Sequence, residues 1–134
     1  MRLRALRVGA EAAADWARLA REALADMYEH VYKVFAARPD RETQAYEAAQ
    51  VAFWAADAVA LVNRYRYLSS RTMFAESQRL RSLPEGYAAH LRGLLARPEG
   101  VGLERHAAGL WTACRAWAAA LGIHLEDDDL RGLA

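Results

Sequence analysis

Apolar residues recur every three or four positions along most of this chain, and the longest such pattern lies in its middle. From Asp40 to Leu68 it reads D-R-E-T-Q-A-Y-E-A-A-Q-V-A-F-W-A-A-D-A-V-A-L-V-N-R-Y-R-Y-L. Between Ala48 and Val62 such a helix is apolar on nearly every side, and a helix of that kind is enclosed by others. The pattern predicts a buried central helix from Arg41 to Leu68. At about 100° per residue, Tyr46, Phe53, Asp57 and Arg64 share one face, so a sparse polar stripe runs along an otherwise greasy surface.

The flanking segments read as helices that pack around it. The first runs from Gly9 or Ala10 to Ala37, with Trp16, Ala20, Ala23, Met27, Val31 and Val34 as its stripe, widened by Leu24, Tyr28 and Phe35. Arg38-Pro39-Asp40 ends it, because the residue before a proline leaves the helical region. Asp40 then caps the central helix by accepting from its free N–H groups. So short a connection makes the first two helices antiparallel neighbours.

After a break at Ser69–Thr72, a short surface helix is expected over Met73–Leu83. A fourth follows from Pro84, a residue suited to a first turn, to Arg97, with Tyr87, Leu91, Leu94 and Leu95 inward. Pro98-Glu99-Gly100 signals a turn. The last helix, Val101–Leu121, carries the seam Leu103, Ala107, Leu110, Cys114, Trp117 and Leu121. Gly122 stops it, and Ile123 folds back as the hydrophobic partner of that cap. No alternation of useful length points to a sheet. The expected fold class is all-α, an up-and-down antiparallel bundle of four to five helices. It forms one domain over 1–134, with a lead-in over 1–9 and a solvated acidic tail over 124–134.

Composition narrows the function. A chain of 134 residues buries a core without disulfides or metals. Eighteen basic against seventeen acidic residues give a charge of +1, which argues against a nucleic-acid partner held by a broad positive field. Cys114 is the single cysteine; it fits a reducing cytoplasm and the role of a buried small hydrophobe. No run of about eighteen apolar residues predicts a membrane span, and the first residues lack the apolar core of a signal peptide. His30, His90, His106 and His124 are scattered without ligand spacing, so no metal is expected. No phosphate-binding glycine loop or nucleophile elbow appears, and neither a cofactor nor a catalytic residue is assigned.

Three polar groups remain. Asp57 sits inside the apolar run, where a carboxylate needs a partner or a raised pKa. It reads either as a structural ion pair or as the lining of a ligand pocket or subunit interface. Glu22, Glu29, His30 and Lys33 form a second cluster. The i,i+4 order of Glu29 and Lys33 accounts for that pair on stability grounds alone. The alternative is a general base, or a carboxylate for a substrate, presented beside a partner's catalytic centre. Tyr65, Tyr67, Phe74 and Tyr87, interleaved with Arg64, Arg66 and Arg71, suit either base stacking or helix packing.

Y-E-H-V-Y-K-V at 28–34, the helix ending A-L-V-N-R-Y-R-Y at 60–67 and R-S-L-P-E-G-Y at 81–87 carry a resemblance. Over roughly residues 15–97 the chain resembles the helical substrate-binding domain of minimal, kanamycin-type nucleotidyltransferases, within the HEPN-like superfamily. The resemblance implies a bundle that dimerises and packs beside a nucleotidyltransferase domain, whose G-S and D-x-D elements hold magnesium. This chain has neither element, since its run of aspartates at 127–129 follows no G-S. It also implies that Glu29, Lys33, Asn63 and Arg64 lie near the shared cleft. With Asp57 they make up the expected ligand or interface stripe.

The expected function is thus a non-catalytic accessory subunit, working as a homodimer or with a separate nucleotidyltransferase. One alternative is a HEPN-like ribonuclease toxin or its inactive relative. The arginine-to-histidine spacing of those ribonucleases is missing, because Arg81 to His90 and Arg97 to His106 each leave eight residues between. A homodimeric helical protein without small-molecule chemistry is the other.

Overall fold

The Asp40 carboxylate accepts from the backbone N–H of Glu42 and Thr43 at 3.1 and 3.2 Å and from the Thr43 hydroxyl at 2.7 Å. That cap starts the helix around which the molecule is arranged. In this computed structural model, which describes residues 9–96 and 100–125, five helices follow one another: α1 (Gly9–Ala36), α2 (Arg41–Asn63), α3 (Met73–Ser77), α4 (Tyr87–Leu95) and α5 (Gly100–Ala120). No strand occurs among the described residues. The bundle is the expected all-α one. α1 and α2 form the most extensive pairing, α4 packs on α5, and α2 touches every other helix.

Enclosure of α2 is graded along its length. Ala55, Ala56, Ala58, Val59, Ala60 and Leu61 are all buried, so this half is walled on every side but that of half-buried Asp57. Toward the N-terminus only Gln44, Ala48, Val51 and Ala52 are buried, while Tyr46 and Phe53 remain 60% and 38% exposed. The stripe that carries them faces out. The predicted seam of α1 is buried from Ala20 to Val34, with Trp16 and Phe35 packed at its edge.

Several boundaries differ from the expectation, those at the end of α1 and the start of α5 by a single residue. α2 ends at Asn63, five residues early, because Arg64 turns left-handed at φ +52°. The Tyr65 N–H reaches the Ala60 carbonyl and that of Arg64 reaches Leu61, which closes the helix as a Schellman motif. α3 stops at Ser77 rather than Leu83, as the chain tightens through the bonds Arg79 N–H to Glu76 O and Leu80 N–H to Ser77 O. α4 begins at Tyr87 after Gly86 at φ +73°, with Pro84 outside the helix, and Arg97 lies outside the described residues. α5 ends one residue early, and Leu121 leaves the seam at 46% exposure. Gly122 and Ile123 behave as read: Gly122 has φ +79°, and the Ile123 N–H bonds the Ala118 carbonyl at 2.8 Å. Leu125 packs against the core, so the segment after α5 is not wholly solvated. The acidic run 126–129 and residues 1–8 of the lead-in lie outside the described residues.

The segment between α2 and α4 is fastened by side chains. Glu76, 4% exposed, accepts from the Tyr65 hydroxyl at 2.6 Å, from the Thr72 hydroxyl and from the Leu68 N–H. Those donors hold its carboxyl below the ordinary glutamate value, Thr72 contributing most. The Asn63 amide donates to the Ser82 carbonyl at 2.8 Å and accepts from its N–H at 2.9 Å, and the Trp117 indole donates to the Ser82 hydroxyl at 2.9 Å. The ends of α2 and α5 therefore meet at Ser82.

Candidate functional site

Polar side chains from α1 and α2 converge along the seam where these helices pair. Lys33 and Glu29 lie 3.1 Å apart with 44% and 60% of their side chains exposed. The bond to Glu29 raises the lysine above its ordinary value, and Glu47 and Tyr46 of α2 add to that. One helical turn before, His30 bonds across to Glu47 at 2.5 Å in a half-buried position. One further turn back is Asp26. Burial raises its carboxyl above the usual aspartate value, and the negative charges of Glu29, Glu22 and Asp57 raise it further, against a smaller lowering by His30.

This band holds Glu22, Asp26, Glu29, Glu47 and Asp57 against Lys33, His30 and Arg18, which pairs with Glu22 at 3.0 Å, so acidic groups outnumber basic ones along it in a chain of nearly balanced total charge. Crowded carboxylates that share a partly desolvated site favour a proton or a cationic ligand between them. Tyr46 and Phe53 form its outer rim, with Phe53 edge-on to Trp54 at 5.1 Å. Chemically the band can grip amines, and at Glu29 or Asp26 it can take a proton from a ligand.

Of the residues singled out in the sequence, Glu29, Lys33 and Asp57 belong to this band. Asp57 is half-buried, and its charge is felt at Asp26 and at Tyr67. Asn63 does not join them, being consumed by Ser82 and by the Val59 carbonyl. Arg64 stands exposed in the left-handed turn at the far end of α2. The sequence reading overlooked Asp26 and Glu47. Both are legible afterwards, since Asp26 falls three and four residues from Glu29 and Glu22, and Glu47 opposes His30 across an antiparallel pair.

The other features are absorbed by packing. The Tyr67 hydroxyl bonds the Ala56 carbonyl at 2.6 Å, Tyr65 is held by Glu76, and buried Tyr87 donates to Ser77 at 2.8 Å. These rings offer no open stacking platform beside Arg64, Arg66 and Arg71. Cys114 is fully buried, and burial pushes its thiol well above the ordinary range. Among the described residues, no three histidine, cysteine or acidic side chains gather in a metal-holding group. None of the described helices is long and apolar enough to cross a membrane. A groove of about 760 Å³ opens elsewhere, between the start of α4 and the outer face of α5. Its lining carries one carboxylate, Glu85, and one imidazole, His90, which is already hydrogen-bonded to His106. Convergent charge is found on the α1–α2 band instead.

No curated protein and no solved structure matches the chain. The family model of the KNTase C-terminal domain, by contrast, matches residues 1–124, which takes in all five helices and every residue of the band. On that match the chain belongs to the KNTase C-terminal domain family, the helical domain associated with kanamycin-type nucleotidyltransferases.

Proposed function

We propose that the chain is a non-catalytic, substrate-binding partner of a nucleotidyltransferase domain, and that the α1–α2 band is the face turned toward that domain's catalytic centre. The observation that carries this reading is the carboxylate crowding at Asp26, on the surface that also bears the exposed Glu29–Lys33 pair. The family supplies the kind of partner; the charge supplies the kind of ligand, a small molecule bearing protonated amines. Glu29 and Asp26 hold the amines and so orient the acceptor hydroxyl toward the partner's catalytic centre, and Lys33 faces the anionic side of the reaction.

A ribonuclease reading gains nothing from the geometry, because His90 and His106 pair with each other and His30 pairs with Glu47. The test is nucleotidyl transfer from ATP to an aminated sugar by a partner carrying G-S and D-x-D, assayed with and without this chain. Transfer should depend on the chain and fall at least about tenfold with Glu29→Gln, through the lost charge-assisted bond to the ligand's amine. An exposed i,i+4 pair is worth only about 0.3–0.5 kcal/mol, so that variant should melt as the parent does. A chain that merely homodimerises and leaves transfer unchanged would overturn the proposal.

A further inference from the structure

α4 and α5 meet through two histidines, each seated on the other helix's glycine. A methyl group added at Gly93 of α4 would fall 2.4 Å from the His106 ring, and one added at Gly109 of α5 would fall 2.5 Å from the His90 ring. The missing side chains let each imidazole lie against the opposite backbone. There the two Nδ1 atoms stand 3.3 Å apart, with ring centres 5.6 Å apart and planes at 69°. The difference between those two distances is about what the ring radii occupy, so the nitrogens meet head-on. One ring donates its Nδ1–H and the other accepts on its Nδ1 lone pair.

That geometry has a defined response to protons. With no added proton the bond forms between two neutral rings. With one, an imidazolium still donates to a neutral acceptor. With two, both facing nitrogens carry hydrogens, no lone pair remains between them, and like charges confront each other. Among the described residues, no nearby acid is placed to relieve this. Of the charged groups around the junction, Arg92 turns to Gln78 at 3.1 Å and Glu104 to Arg38 and Gln44, while Glu85 and Arg105 are exposed. α2 packs on both helices but engages Glu47 with His30, and its Asp57 is felt at Asp26 and Tyr67; α1 keeps Glu29 on Lys33.

We propose that the His90–His106 contact is a proton-operated latch on the groove lined by Glu85, His90, Gly109, Thr112 and Trp117. It stays closed with up to one proton on the pair and opens on the second. Because each ring rests on the partner helix, parting the rings moves α4 against α5 and reshapes the groove. Burial, followed by the charge on His106, holds His90 below the ordinary histidine value, which agrees with a disfavoured second protonation. A depressed histidine contributes stability that is complete above its unfolded pKa, about 6.5, and is lost as pH falls through the folded value.

The test is an imidazole nitrogen NMR titration of the intact chain from neutral pH to about pH 5, followed together with the Gly93 and Gly109 backbone amides. The pair is expected to take up its two protons in separate, coupled steps, and the two glycine amides should move only with the second. In His106→Asn, which presents an amide where the imidazole stood, the low-pH movement of Gly109 should disappear. Two independent titrations with still glycine amides would overturn the latch, as would equal glycine movement in the variant. Should the variant not fold, the titration of the unaltered chain decides alone.

Discussion

Asp26 shows most clearly how one side chain ties stability to function. Its folded pKa is raised, first by burial and then by Glu29, Glu22 and Asp57. Such a group supports the fold fully below its unfolded pKa, and that support is lost as pH rises through the folded value. Raising the pH therefore ionises this carboxylate against the preference of the fold. Asp26→Asn should melt higher than the parent at pH 7, with the gap closing as the pH is lowered toward about 4, as thermal melts across that range would show. A lower melting point at pH 7 would mean that Asp26 is a structural partner. His30, Glu47 and Asp26 were all visible as letters. Their convergence was not, because it depends on the rotation of α1 about its axis relative to α2.

Among the elements, the end of α2 carries the sharpest consequence. Arg64 is the non-glycine residue with positive φ among those described. A side chain in that conformation costs about 1–2 kcal/mol, whereas glycine loses about 0.5–1 kcal/mol more backbone freedom on folding. The first effect wins, so Arg64→Gly should raise the unfolding free energy by about 0.5 kcal/mol, measurable by urea titration. A destabilised variant would mean that the exposed guanidinium makes contacts worth more than the strain. The early end was legible in principle. Arg64-Tyr65-Arg66-Tyr67 alternates, with the arginines exposed and the tyrosines turned inward, which is the two-residue period of extended chain. Read at a helical period, the same tyrosines lengthen the helix by a turn. The truncation of α3 had no such signal, since it follows from Ser82 being drawn to Asn63 and Trp117 across the fold.

At the scale of the molecule, periodicity revealed the bundle well because each stripe is apolar at helical spacing and every connection except that between α2 and α3 is marked by proline, glycine or a capping acid. Asp40, Gly122 and the α1 seam all lie where their chemistry puts them. What eluded the sequence were pairings between distant residues, such as His90 with His106, or Gln44 with the Val34 carbonyl at 3.0 Å and with Glu104 at 3.2 Å. Each is made by helix packing rather than by spacing along the chain. The division of labour proposed for the surface, a polar band on α1–α2 for the partner and a groove on α4–α5 under proton control, is likewise a property of the whole bundle.

Lys33 is the chain's one lysine and belongs to the proposed contact face, so amine labelling reports on that face with a single side-chain signal. The most direct measurement is the rate of Lys33 modification, read by mass spectrometry, in the chain alone and in its complex with a nucleotidyltransferase partner and ATP. The account predicts that Lys33, exposed in the chain alone, is modified through its neutral-amine fraction and is protected several-fold in the complex. An unchanged rate at Lys33 in a complex that demonstrably forms would contradict it.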